Sequence, residues 1–328
     1  MKRLFRVLAL AAAVMSFLAA AHAADKVTLG LSWLPQAEYG GFYQALADGT
    51  YARHGIDLVI KPGGAQINPG QLLAAGSYDF VLGNSSIALS AREQGLDFVA
   101  VGAFFQKEPT ILIAHDDPSI KSFADLKDHP AAITGPGRAT YWPLLKLKYG
   151  FSDRQLRPYT YNFATFFANP DSIRQGFLTN DRGLLERQGV KVKTFLLADY
   201  GYAPYGNLVI TTRKYITGHS DVVQRFIAAT SEGWKTFLHG DASKARALIR
   251  AGNSDYTDQN FDDARKVILE EGFVEGGDAK SGGLGTMTDA RWESFFKSSV
   301  EAGVYPASVD YRQAYTLEFV RAEKLARP

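Results

Sequence analysis

Residues 32–60 read SWLPQAEYGGFYQALADGTYARHGIDLVI, and their reading decides the fold. Just upstream, Val27-Thr28-Leu29-Gly30-Leu31 is β-rich, with Leu29 and Leu31 on one face of a strand. A helix is expected from about Tyr39 to Arg53, stopped by Gly55, and Ile56 to Ile60 reads as the next strand. The joint between a strand and a helix usually needs only turn chemistry. This one carries Trp33, Pro35, Gln36, Glu38 and Tyr39 within a few residues. That is more polar and aromatic material than a turn requires.

Outward from this unit the alternation continues. Pro62-Gly63-Gly64 is a turn, a short helix starts at Pro69, and strand Phe80–Gly83 ends in Asn84-Ser85-Ser86. A helix from Ile87 to Gln94 leads to strand Phe98–Val101. Strands are expected again at 110–114, 132–134, 156–161, 176–179, 194–198 and 208–212, followed by helices at 220–239, 242–252, 257–273 and 287–302. Alternating strands and helices make an α/β protein with sheets covered by helices. Two α/β units without a flexible joint suggest two lobes, with the segments near 110–114 and 207–212 expected to cross between them.

In open α/β sheets, ligands sit off the carboxyl ends of the strands. Those ends carry the candidate ligand-binding residues. The first strand contributes Trp33, Gln36, Glu38 and Tyr39. The third contributes Asn84, Ser85 and Ser86, and the fourth Gln106. In the second unit the ends carry Gly137, Thr140, Tyr141 and Trp142, then Asn162, Asn180, Asp199 and Tyr202. Aromatic faces stack on flat ligands, while amides, hydroxyls and a carboxylate fix hydrogen-bond directions. Phe42, Tyr43, Phe104 and Phe105 read as plain core. Trp33 and Trp142 read equally well as core or cleft, and Glu38 as a ligand contact or as an acid favouring the start of the following helix.

Composition excludes several classes. Lys2, Arg3 and Arg6 precede an apolar run from Val7 to Ala20, and Ala21-His22-Ala23 fits a cleavage site, so residues 1–23 are expected to be an export signal. The 36 Lys+Arg against 34 Asp+Glu, less the three basic residues of the signal, leave the remainder near neutral. That balance argues against nucleic acid and against a membrane-surface role. There is no cysteine, hence no disulfide or thiolate chemistry. The histidines show no metal spacing, no Gly-x-Ser-x-Gly elbow occurs, and no cofactor is expected.

Three stretches carry a resemblance: WLPQAEYGGFYQALADGTYARHGIDLVIKPGG (33–64), LLAAGSYDFVLGNSSIAL (72–89) and EGWKTFLHGD (232–241). They resemble the type II periplasmic substrate-binding proteins of ABC importers, in the branch that groups thiamine-pyrimidine-precursor and sulfonate binders. The family pattern falls on Trp33, Pro35, Glu38, Tyr39, Gly41 to Ala45, Gly49, Tyr51, Gly55 and Asp57, with Leu58 where a Val is usual. The resemblance implies two lobes that close on a small ligand, each a mixed sheet flanked by helices. With the strand reading above, it places lobe 1 at 24–109 and 207–328, helical tail included, and lobe 2 at 110–206. It implies delivery to a membrane permease with its ATPase, no catalysis, a periplasmic location and a monomer. One departure is that Thr179-Asn180-Asp181-Arg182 stands where the family often has a Thr-x-Glu-Pro-like turn, so that Asp181 or Arg182 is a candidate substitute.

The expected ligand is a small aromatic heterocycle, first a pyrimidine thiamine precursor. A sulfonate or other organic anion, and riboflavin, are the alternatives. An anion would want cationic groups, and only Lys107, Arg138 and Arg182 lie near strand ends. An exported enzyme is the reading from another class. So is a pyrimidine-synthesising enzyme of the same fold, but that enzyme resembles these binders while using cysteines absent here.

Overall fold

The computed structural model describes residues 23–320, so the export-signal reading, Ala23 apart, lies outside the described residues. The strands form two five-stranded sheets. The first contains β1 (Asp25–Gly30), β2 (Ile56–Lys61), β3 (Phe80–Gly83), β4 (Phe98–Phe105) and β10 (Gly206–Thr212), in the order β2-β1-β3-β10-β4. The second contains β5 (Thr110–His115), β6 (Ala131–Ala132), β7 (Leu156–Arg157), β8 (Ile173–Phe177) and β9 (Val192–Leu196), in the order β7-β6-β8-β5-β9. Each sheet is mixed. β10 runs antiparallel to β3 and β4, and β5 antiparallel to β8 and β9, while the remaining pairs are parallel.

The antiparallel strands are the ones the chain enters on changing sheets. Segments 110–114 and 207–212, expected as crossings, are therefore seated inside the sheets, and the crossings are the stretches just ahead of them. The reason is burial. Ile111 to Ala114 and Leu208 to Ile210 are wholly buried, and such runs satisfy their backbone groups by pairing with neighbours on both sides.

The expected helix from Tyr39 to Arg53 is broken into a 3₁₀ turn (Ala37–Tyr39) and two helices, Gly40–Ala47 and Thr50–Arg53. Gly49, at φ 67°, makes the second break in a left-handed conformation that glycine adopts without penalty. The helix expected at 220–239 begins earlier, spanning Arg213–His239 with a kink at His219, because the Thr212 side chain caps it at Tyr215 N. The strand expected over 156–161 ends at Arg157, where Pro158 has no N–H to give a ladder.

Helix 213–239 lies against helix 40–47 at a very close approach. A Cβ on Gly233 would stand 2.3 Å from the Gly41 carbonyl oxygen, and one on Gly41 2.2 Å from the Trp234 ring. Phe42, Tyr43, Phe104 and Phe105 are buried here as core. The connector 32–39 is thus held from behind by packing that admits no larger side chain.

Candidate functional site

The furnished connector meets the second sheet. Glu38 is buried, and its Oε1 accepts a hydrogen bond from the Thr179 hydroxyl at 2.6 Å and another from the Asn180 amide. The same amide reaches Gln36 Oε1 at 3.2 Å. The Tyr256 hydroxyl lies 3.0 Å from Asn180 Oδ1 and accepts from Ala37 N at 3.3 Å. Asn207, the one non-glycine described residue at positive φ (38°), donates its amide to the Glu38 backbone carbonyl from the start of strand β10. Oε2 of Glu38 is buried and receives no hydrogen bond from a described residue. Burial pushes the Glu38 carboxyl up to about 7, against the lowering effect of its Thr179 and Asn180 donors.

A second carboxyl stands behind it. Glu108, in the crossing between β4 and β5, is buried and is pushed up to about 8 by desolvation, against the lowering effect of the Asn84 side chain. A Cβ on Gly206, where the chain returns, would be 2.7 Å from Glu108 Oε2, so this carboxyl lies between the two crossings. Around it Ser86 bonds the Tyr202 hydroxyl at 3.0 Å, Ser85 exchanges bonds with the Tyr205 backbone, and Tyr39 bonds Ser32 at 2.9 Å. On the second sheet the Tyr141 hydroxyl donates to Gln175 Oε1 at 2.7 Å, beside Gly137, whose Cβ would meet that same oxygen. The Thr140 hydroxyl bonds Pro136 O at 2.8 Å. Trp33, half-buried, stacks on Tyr161 with centroids 5.3 Å apart.

Of the candidate residues, Gln36, Glu38, Tyr39, Asn84, Ser85, Ser86, Asn180 and Tyr202 come together at this seam, with Trp33 at one end and Gly137, Thr140 and Tyr141 on the second-sheet side. Four lie elsewhere. Gln106 turns inward, donating to Ala103 O and Thr286 O and accepting from Asp278 N, a brace for the segment that covers β4. Trp142 is in the core of the second unit, edge-on to Phe151, with its indole N–H on Asp153. Asn162 is exposed and caps Ala164 N, and Asp199 is exposed on a 3₁₀ turn.

Neither candidate substitute for the Glu-Pro turn bonds this cluster. Asp181 accepts from Phe177 N at 2.7 Å, and Arg182 pairs with Glu186. Thr179 and Asn180 supply the contacts. Glu108, Asn207, Tyr256 and Gln175 went unread in the sequence. Only Glu108 and Asn207 had a signal there, as polar groups flanking strands that change sheets.

The cations near strand ends are engaged away from the seam. Lys107 pairs with Glu271, and Arg138 donates to Ile133 O and Arg157 O. Among the described residues no histidine hydrogen-bonds Ser85, Ser86 or Thr179. The arrangement is a set of fixed donors and acceptors with one unmatched acidic oxygen, suited to holding a polar ring edge.

The riboflavin-binding protein of Chloroflexus aurantiacus is 25% identical over 309 residues, covering 90% of this chain and 86% of that protein. The formylaminopyrimidine-binding protein of Halalkalibacterium halodurans is 22% identical over 258 residues, 76% of this chain and 75% of that one. Among solved structures, the periplasmic aliphatic sulphonate-binding protein of Escherichia coli matches with a TM-score of 0.63 at 17% identity, over 88% of this chain and 97% of its own. A desulfurization enzyme matches at 0.58 and 14% identity, over 92% and 99%. These structures establish the periplasmic-binding-protein fold and, at such identities, the fold alone. The model of the family described as NMT1/THI5 like matches residues 36–242, more than half of the chain, and the protein belongs to that family.

Proposed function

We propose that this chain is the exported solute-binding component of an ABC importer, that its two units close on a small flat nitrogen heterocycle, and that an aminopyrimidine precursor of thiamine is the first candidate. The observation that carries the reading is the buried, unmatched Oε2 of Glu38 at the seam. An exocyclic amine or protonated ring nitrogen would supply the missing donor, and Thr179 and Asn180 stand beside it. The relative that binds formylaminopyrimidine supports this class of ligand.

Riboflavin is the second reading, favoured by the relative that matches 90% of the chain. A flavin also presents a ring N–H, between two carbonyls, and its larger ring system would need the seam to stand wider. A sulfonate is less well supported, since Lys107, Arg138 and Arg182 are engaged elsewhere and a carboxyl would face the anion. In the same proposal the loaded protein docks on a membrane permease served by an ATPase, in the periplasm. Among the described residues no helix is long and apolar enough to cross a membrane.

Calorimetric titration with an aminopyrimidine, riboflavin, an alkanesulfonate and nitrate tests it. Saturable heat with the aminopyrimidine, and a smaller radius of gyration in solution scattering, are expected. Heat with riboflavin alone moves the assignment to the second reading, heat with an anion alone overturns both, and turnover of any of these compounds replaces binding with catalysis.

A further inference from the structure

Arg174 is 4% exposed, in the middle of β8, and makes no ion pair among the described residues. The Asp181 carboxyl feels its charge but forms no ion pair with it, so the guanidinium is held in place by hydrogen bonds. Three of its four bonds go to one short stretch. Nη1 donates to Asn162 O at 2.8 Å. Nη2 donates to the Tyr159 hydroxyl at 2.9 Å and reaches Thr160 O at 3.5 Å. Nε donates to Gln175 O at 3.2 Å. The guanidinium also lies 4.0 Å from the Phe163 ring centroid and 5.0 Å from that of Tyr159, within cation–π range of both.

The stretch so gripped is 159–163, which has no helix or strand of its own. Arg174 holds the carbonyls on either side of Tyr161 and the two rings that flank it in sequence. Tyr161 itself is 65% exposed, set edge-on to Tyr159 and stacked on Trp33 of the first unit, with planes 20° apart. We propose that Arg174 is a positioning residue: it fixes the 159–163 loop so that Tyr161 forms an aromatic clasp with Trp33 across the two units. The inference concerns the chain's own closure and does not rest on the ligand assignment.

The protein offers a direct readout. Trp142, Trp234 and Trp292 are at most 1% exposed, whereas Trp33 is partly open, so collisional quenching of tryptophan fluorescence by acrylamide reports on Trp33. In the ligand-free protein, Tyr161→Ala should raise the quenching constant at least about twofold, as expected on removing a stacked aromatic partner. Arg174→Met, which keeps the bulk and removes the donors, should raise it as much, and the double variant no further. Arg174→Lys should resemble Arg174→Met, because one ammonium cannot span both carbonyls and the hydroxyl. If Arg174→Met does not fold, Tyr159→Phe removes a single accepting hydroxyl and should give a partial rise. A purely structural role for Arg174 would lower the unfolding midpoint and leave quenching as in the wild type, and that result overturns the proposal. So does wild-type quenching in Tyr161→Ala, which would mean that no clasp forms in solution.

Discussion

On the first unit, the wall of the site is backed by packing with no spare room: Gly40 and Gly41 lie against the rings of Phe237 and Trp234, and Gly233 against the Gly41 backbone. On the second unit the facing residues hang from two- and five-residue strands and from a loop held by one buried arginine. The first wall is backed by close helix packing, and the second by short strands and a loop tied down by one side chain. Binding residues gain precision from rigid support, and partners that must move gain from the lack of it. The contrast predicts that substitutions at the seam cost affinity, whereas substitutions inside either unit cost stability.

The hardest test of the contrast is a residue whose place was ambiguous in the sequence. Trp142 belongs to the second unit but lies in its core, so Trp142→Ala should cost about 3–5 kcal/mol of stability. A denaturant titration measures it. A variant of wild-type stability that no longer binds ligand would mean that Trp142 faces the seam after all.

The two carboxyls give the next largest effect. Unfolded, both titrate near their ordinary 4.5; folded, Glu38 keeps its proton to about 7 and Glu108 to about 8. Between these values the unfolded chain binds fewer protons, so stability falls as pH rises through the window. Each carboxyl contributes at most about 1.4 kcal/mol per pH unit. Asp117, Asp125 and Asp241, held below the usual carboxylate range by hydrogen bonds from nearby serines, act only in more acid solution. The unfolding midpoint should therefore be higher at pH 5.5 than at pH 8 on the scale of these shifts, and a Glu38→Gln, Glu108→Gln double variant should flatten the slope. A midpoint that rises with pH across this range would contradict the burial of both groups.

The same asymmetry governs what could be read from the sequence. The first wall was legible because it is local: Trp33, Gln36, Glu38 and Tyr39 sit in one connector, and Asn84 caps the helix at the end of β3. Local turn and capping chemistry is written in adjacent residues. The second wall depends on pairings between distant segments. Gln175 matters because Thr134, Gly137 and Tyr141 converge on it, and Tyr256 because helix 258–270 brings the preceding turn to Asn180. Neither has a sequence neighbourhood that marks it. Gln106 misled for the converse reason. It follows a strand end that looks like the others, and only the packing of 273–286 against β4 shows that its amide turns inward.

Glu38 is the point where the walls touch, and its charge separates the ligand classes. Its carboxylate is turned across the seam to Thr179 and Asn180, and it makes no side-chain cap to the helix that follows. Glu38→Gln keeps the shape and removes the charge. With an aminopyrimidine at pH 8, where the Glu38 carboxyl is mostly ionised, affinity should fall by about 1.5–3 kcal/mol, the worth of a hydrogen bond to a charged group. Titration calorimetry reads it. Unchanged affinity with a lower unfolding midpoint would confine Glu38 to a structural role, and tighter binding of an anion would reverse the ligand class.

The smallest effect probes the seam from its far side. Tyr256 belongs to the first-unit tail, yet its hydroxyl lies within reach of Asn180 Oδ1 at 3.0 Å and of Asn260 O at 3.3 Å while accepting from Ala37 N. One hydroxyl proton serves one acceptor at a time, so the bond to Asn180 is held in competition with a bond inside the tail. Tyr256→Phe removes both and leaves the ring packed. A neutral hydrogen bond is worth about 1 kcal/mol net, and here it is made across the units. Ligand affinity should drop by about fivefold, with a smaller change in the unfolding midpoint. Tyr149→Phe is the matched comparison, because that hydroxyl donates to Tyr200 O at 3.0 Å within the second unit. It should cost stability and leave affinity unchanged. Equal losses of affinity in the two variants would mean that closure depends on the second unit's overall stability and not on bonds made at the seam.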